Sequence, residues 1–117
     1  MKYLCLVYCE DSEFAALAPE EKIALDRDSL AYDRELERSG NFIAADALRS
    51  VEEAVTVRVR DGRMSVTDGP FAETKEQLGG FILIDARDMN EAIRLAAGIP
   101  LAKLGSIEVR PILDIVV

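Results

Sequence analysis

Histidine and tryptophan are absent from the chain, cysteine occurs only twice, and 14 lysines and arginines face 22 aspartates and glutamates. Each shortage excludes something. Without histidine, the commonest general acid or base near neutral pH and the commonest zinc ligand are gone. Cys5 and Cys9 lie four residues apart in one apolar stretch. On a strand they share a face at roughly 13 Å, too far for a disulfide to each other. They read as small buried hydrophobes of a reducing cytoplasm, with a reactive thiol as the alternative, and no metal site is expected. A formal net charge of -8 and an isoelectric point near 4.5 offer no basic surface to a phosphate backbone, so no nucleic acid is expected as partner. The same acidity gives no attraction to anionic lipid, and no run of about 18 apolar residues exists to span a bilayer, so no membrane partner is expected either. The N-terminal apolar stretch is broken by Tyr3 and Tyr8, meets Glu10-Asp11 at once, and lacks a small-residue cleavage site. It reads as a strand rather than an export signal, and the protein is expected in the cytoplasm on the reading of its cysteines. Gly79-Gly80 is a lone pair without phosphate-loop spacing, and no cofactor is expected.

What is present suffices for one domain over residues 1–117, since half of the residues are hydrophobic and no linker, repeat or low-complexity tract interrupts them. The first strand covers residues 1–9. From Pro19 to Arg38, Leu25, Ser29, Tyr32 and Leu36 recur at helical spacing, with Pro19 in the first turn, Glu20 and Glu21 at the positive end, and Gly40 as the stop. Asn41–Ala45 is a short second strand. Val55, Val57 and Val59 alternate with Thr56, Arg58 and Arg60, then Asp61-Gly62 closes a tight turn and Met64 and Val66 resume the alternation. That is a β-hairpin with one face expected to be buried. The continuous run Phe81-Ile82-Leu83-Ile84 suits a central strand buried on both faces. Asp88 with Glu91 starts a second helix, Gly98 and Pro100 end it, and Ile107 and Val109 mark the last strand before an apolar tail. The order strand, helix, strand, hairpin, strand, helix, strand predicts an α+β, ferredoxin-like domain with an inserted β-hairpin and helices on one sheet face. The uncovered face and the tail point to a homodimer.

Between the hairpin and the central strand lies Asp68-Gly69-Pro70-Phe71-Ala72-Glu73-Thr74-Lys75-Glu76, followed by Gly79-Gly80 and, later, Gly105-Ser106-Ile107-Glu108-Val109-Arg110-Pro111. A rigid Gly-Pro corner, one aromatic and a close set of charges on a connection are features that often carry function. These stretches resemble the signatures of the YCII-related family in its DGPF-containing branch, and the similarity runs over essentially the whole chain. The resemblance implies a ferredoxin-like, dimeric α+β barrel fold. It also implies one of two roles: a cofactor-free enzyme using a histidine and an aspartate, or an accessory protein working beside an extracytoplasmic-function sigma factor. The histidine of the enzymatic pattern belongs near the middle of the first helix, where Ser29 stands here, so the dyad is missing.

Asp68 is the candidate catalytic residue. In a partly desolvated pocket it could act as general acid or base; folded back on the amides near Phe71 and Ala72 it would be a turn former and a poor base. Tyr8, Ser29, Phe71 and Lys75 are the candidate ligand-binding residues. Ser29, facing inward with Leu25 and Tyr32, would line a cavity; the others have plain alternatives, Tyr8 as an amphipathic packing residue, Phe71 as core or pocket wall, and Lys75 as a solvated charge beside Glu73 and Glu76. Glu108 and Arg110 read as an exposed ion pair without chemistry. Two functions follow: an isomerase, lyase or hydrolase acting on a small organic molecule through Asp68, or a ligand-sensing or protein-binding accessory domain without turnover.

Overall fold

The computed structural model describes residues 1–117. The strands are β1 (Lys2–Cys9), β2 (Phe42–Ala47), β3 (Val55–Arg60), β4 (Arg63–Asp68), β5 (Gln77–Asp85) and β6 (Ser106–Pro111). The helices are α1 (Asp11–Ala15), α2 (Pro19–Arg38) and α3 (Met89–Ala97), with short 3-10 turns at Val51–Glu53 and Pro100–Lys103. The main sheet has the order β2-β5-β1-β6, and each neighbouring pair is antiparallel. β1 and β2 therefore run parallel with β5 between them, and β5 and β6 run parallel with β1 between them. Those two split βαβ units are the ferredoxin-like arrangement. No helix is long and apolar enough to cross a membrane.

Local signals explain the boundaries. Ala18 at the cap of α2 has no polar side chain, but its amide donates to Glu21 Oε1 at 2.9 Å, and Pro19 occupies the first helical position. Gly40 ends that helix at φ 79°, a conformation that costs glycine no Cβ clash. Asp88 Oδ1 accepts from the Glu91 amide at 2.9 Å, while Glu91 returns to the Arg87 amide rather than to that of Asp88. At the hairpin tip Asp61 and Gly62 take φ 52° and 74°, the paired positive values of a type I′ turn.

The core lies between the sheet and the helices. Tyr3, Cys5 and Val7 of β1, with Ile82 and Ile84 of β5, meet Leu36 of α2 and Ala92 and Ala96 of α3. Alanine at the last two positions lets α3 lie close to the strands. Tyr32 spans the two helices: its hydroxyl donates to Leu95 O at 2.5 Å, and its ring lies where a Cβ on Gly98 would stand.

Two expectations need correction. β5 is central, but only its helix-facing side is deeply buried; Phe81 and Leu83 are half-buried on a face that no helix covers. The hairpin deviates more. Val55, Val57 and Val59 pair with Asp68, Val66 and Met64, so all six share one face, and that face is exposed rather than buried. Thr56 and Arg58 on the opposite side are half-buried instead. Period-two alternation identifies the strands and their apolar face, but nothing in this chain supplies a cover. The radius of gyration, 16.1 Å, accordingly exceeds the value of about 13 Å for a compact domain of this length.

Candidate functional site

Two cavities flank the β2–β5 edge, sharing Ala47. The first lies on the helix side, with a volume of about 390 Å³, between α2 and the strands. Asp26, Ser29 and Asp33 reach it from α2 at helical spacing, Asp46 from β2, and Ile99 to Leu101 close one end. The approach of β2 to β5 depends on Gly80, where a Cβ would stand 2.9 Å from the Asp46 carbonyl oxygen. Burial, with the Glu37 charge behind it, raises the pKa of the Asp33 carboxyl above the ordinary carboxylate range. The wall thus offers a serine hydroxyl and carboxyls, one of them holding its proton more readily than usual. The Asp26, Ser29, Asp33 spacing is a readable signal for this group, since residues at i, i+3 and i+7 share a helix face.

The second cavity is a wider groove of about 910 Å³ at the end of β1. Tyr8 and Leu78 stand opposite each other on β1 and β5, just past the break in register between Val7 and Tyr8. Pro70 and Phe71 come from the loop after β4, and Arg49 from the segment after β2. Gly69 makes the loop possible. At φ 105° its amide donates to Ala54 O at 2.7 Å, and its carbonyl accepts from the Thr56 hydroxyl at 3.0 Å, fixing the loop to the start of β3. Gln77 braces the other end, donating to Thr74 O at 2.9 Å and Ala72 O at 3.2 Å. Phe71 remains 81% exposed, with only the Arg58 guanidinium over its ring at 5.7 Å. Arg49 Nε–H is shared between the two carboxylate oxygens of Glu53, at 2.9 and 3.0 Å.

The structure brings Tyr8 and Phe71 into one groove and places Ser29 in the other cavity. Asp68 and Lys75 line neither, and both are exposed. The Asp68 carboxylate accepts no hydrogen bond from the amides of Phe71 or Ala72; the residue ends β4 opposite Val55, on the apolar face of the hairpin. Glu108 and Arg110 pair at 3.7 Å with both side chains exposed. Arg49, Gln77 and Leu78 were not singled out in the sequence, because nothing local marks a residue that becomes a groove wall only when distant segments meet.

Cys5 and Cys9 are free and buried. Burial pushes the Cys5 thiol up to about 11, and burial followed by the charges of Glu13, Glu76, Asp11 and Glu10 raises Cys9. Neither supplies a thiolate near neutral pH. Labelling of the folded protein with Ellman's reagent at about pH 8 is therefore expected to be at least about tenfold slower than in urea. The same shift has a stability consequence: unfolded Cys5 loses its proton near 9.0 whereas the folded residue keeps it until about 11. Stability present below pH 9 is lost as pH rises through that window, and the melting temperature should fall there.

The 5-chloro-2-hydroxyhydroquinone dehydrochlorinase of Burkholderia phenoliruptrix AC1100, solved in complex with 2,5-dihydroxybenzoquinone, superposes with a TM-score of 0.56 at 16% identity, covering 97% of this chain and 94% of that one. At that identity the likeness establishes the fold alone. An uncharacterized protein of Rhizobium meliloti (strain 1021) is 40% identical over 114 residues, covering 96% of this chain and 92% of the relative. The model of the YCII-related domain matches residues 1–116, and the chain belongs to that family.

Proposed function

We infer that this domain binds a small organic molecule in the groove between Tyr8 and the Pro70-Phe71 corner. The observation that carries this reading is the meeting of those residues from distant parts of the chain. An apolar wall of Leu78, Pro70 and Phe71 is joined to a phenol and a guanidinium. That combination suits a planar, hydroxylated ligand, because such sites are mostly apolar with a few polar groups that fix orientation, and the Arg49 charge is already answered by Glu53 in the same wall. The dehydrochlorinase of like fold binds a dihydroxybenzoquinone, which makes that compound a reasonable first probe. Asp68, at the foot of the hairpin next to the Gly69-Pro70 corner, is the acid or base if the ligand is turned over, without a cofactor, in an isomerisation, elimination or hydrolysis. The exposure of its carboxylate favours a second reading: an accessory domain that binds without turnover, as beside a sigma factor.

Calorimetric titration with 2,5-dihydroxybenzoquinone tests this. Phe71→Ala and Tyr8→Phe are each expected to weaken binding, Phe71→Ala by about tenfold through lost stacking area, while Ser29→Ala leaves it unchanged. Loss of binding in Ser29→Ala alone would move the site to the helix-side cavity. Asp68→Asn should retain affinity and abolish any turnover; a wild-type protein that binds without consuming the probe supports the accessory reading.

A further inference from the structure

We propose that Arg58 recognises a carboxylate on the ligand, so that the groove takes a planar aromatic acid whose ring lies against Phe71 and whose carboxylate meets the Arg58 guanidinium at the rim. The inference rests on the groove being the ligand site and names the class of molecule that fills it. The β3–β4 arm has two unlike faces. Opposite the valines, cross-strand pairing puts Thr56 beside Thr67, Arg58 beside Ser65 and Arg60 beside Arg63. That polar face is the one tied to the groove loop. The Thr56 hydroxyl donates to Gly69 O at 3.0 Å, and Arg58, two residues further along the same face, stands over the Phe71 ring.

Arg58 is half-buried, yet its charge is unanswered. It forms no ion pair and donates no hydrogen bond within the chain, whereas the arginine in the groove wall, Arg49, is bound by Glu53. The face around it carries no acid: Asp68 lies on the apolar side and Asp61 in the turn, while Arg60 and Arg63 stand directly opposite each other. Like charges so placed destabilise a ribbon. They also raise the local potential around Arg58 in an otherwise acidic protein. A cation–π contact holds a guanidinium through the electrons of the ring and uses none of its N–H donors, so the side chain is fixed while its planar fork stays available. A carboxylate is the matching group. It carries the single charge that Arg58 leaves unbalanced, and it accepts two parallel N–H bonds from such a fork. Arg58 lies outside the groove walls, on the ring that forms one of them. The ligand's charged group therefore stays at the wet rim, where its desolvation cost is small, and only the ring is enclosed.

Calorimetric titration with 2,5-dihydroxybenzoate and with 2,5-dihydroxybenzamide tests this, because the two probes share ring and hydroxyls and differ in the charge of one substituent. The acid should bind about tenfold more tightly than the amide. Arg58→Gln should abolish that preference while leaving the affinity for the amide unchanged, with far-UV circular dichroism confirming folding. Arg63→Gln, nearer the tip of the same face, should keep the preference. Phe71→Ala should weaken both probes, which locates them in the groove. Equal binding of acid and amide by the wild-type protein overturns the inference and leaves the groove reading standing. An Arg58→Gln protein that weakens both probes equally also overturns it, since Arg58 would then serve only to hold Phe71. Binding of neither probe, or binding that Phe71→Ala does not touch, removes the groove reading and this inference with it.

Discussion

Ile84→Ala is expected to lower the free energy of unfolding by about 3–4 kcal/mol, the middle of the range for emptying a core isoleucine site. Ile84 is 1% exposed, the largest side chain that the core encloses completely. It sits on β5 between Tyr3 of β1 and Phe42 of β2, on the face that α2 and α3 cover. Its neighbours are held by strand pairing on both sides, so they can collapse only partly into the space left behind. Against a total stability of about 5–15 kcal/mol, such a loss removes a large share of the whole. Urea unfolding at fixed protein concentration should show a lower midpoint with an unchanged slope. Ile84→Val, which removes one methylene, should cost about 1 kcal/mol. Equal, small losses in both variants would mean that the core is looser than its burial implies.

Gly105→Ala is expected to cost about 3 kcal/mol and to weaken ligand binding in the groove as well. The added methyl group would lie on the Tyr8 carbonyl oxygen, with the Tyr8 carbonyl carbon at 3.0 Å and Cys9 Cα at 3.1 Å. All three are backbone atoms of a strand held on both sides, so no rotamer change relieves the clash. Gly105 is itself fixed by its amide, which donates to Leu101 O at 2.8 Å. The end of β1 must therefore move, and Tyr8 with it. Gly79→Ala is the control, because a Cβ there meets nothing nearer than Val7 O at 3.9 Å. Thermal melts of the two variants should separate clearly. A Gly105→Ala protein as stable as Gly79→Ala would show that the β1–β6 junction yields easily.

The element order was legible in the sequence because each element carries its own local cause. Pro19 and Gly40 bound α2, Asp88 caps α3, and the left-handed pair at Asp61-Gly62 turns the hairpin; none of these depends on distant residues. The short helix α1 was missed, since Asp11–Ala15 has neither a capping side chain nor a buried residue. The YCII-related family was legible as a resemblance over the whole chain, and the match over residues 1–116 shows it.

Side-chain position is a different matter. Asp68, Phe71 and Lys75 are close in sequence, yet Phe71 walls a groove while Asp68 and Lys75 stand outside it, because a Gly-Pro corner turns successive side chains in different directions. Ser29 and Tyr8 likewise fall in separate cavities, divided by the β2–β5 edge. The alternation in β3 and β4 revealed which side chains share a face but not whether this chain covers them. Periodicity and capping are local properties, and through them the sequence by itself determined the strands, helices and turns. Burial, cavity walls and an uncovered arm depend on segments far apart in the chain, and only the tertiary structure decided them.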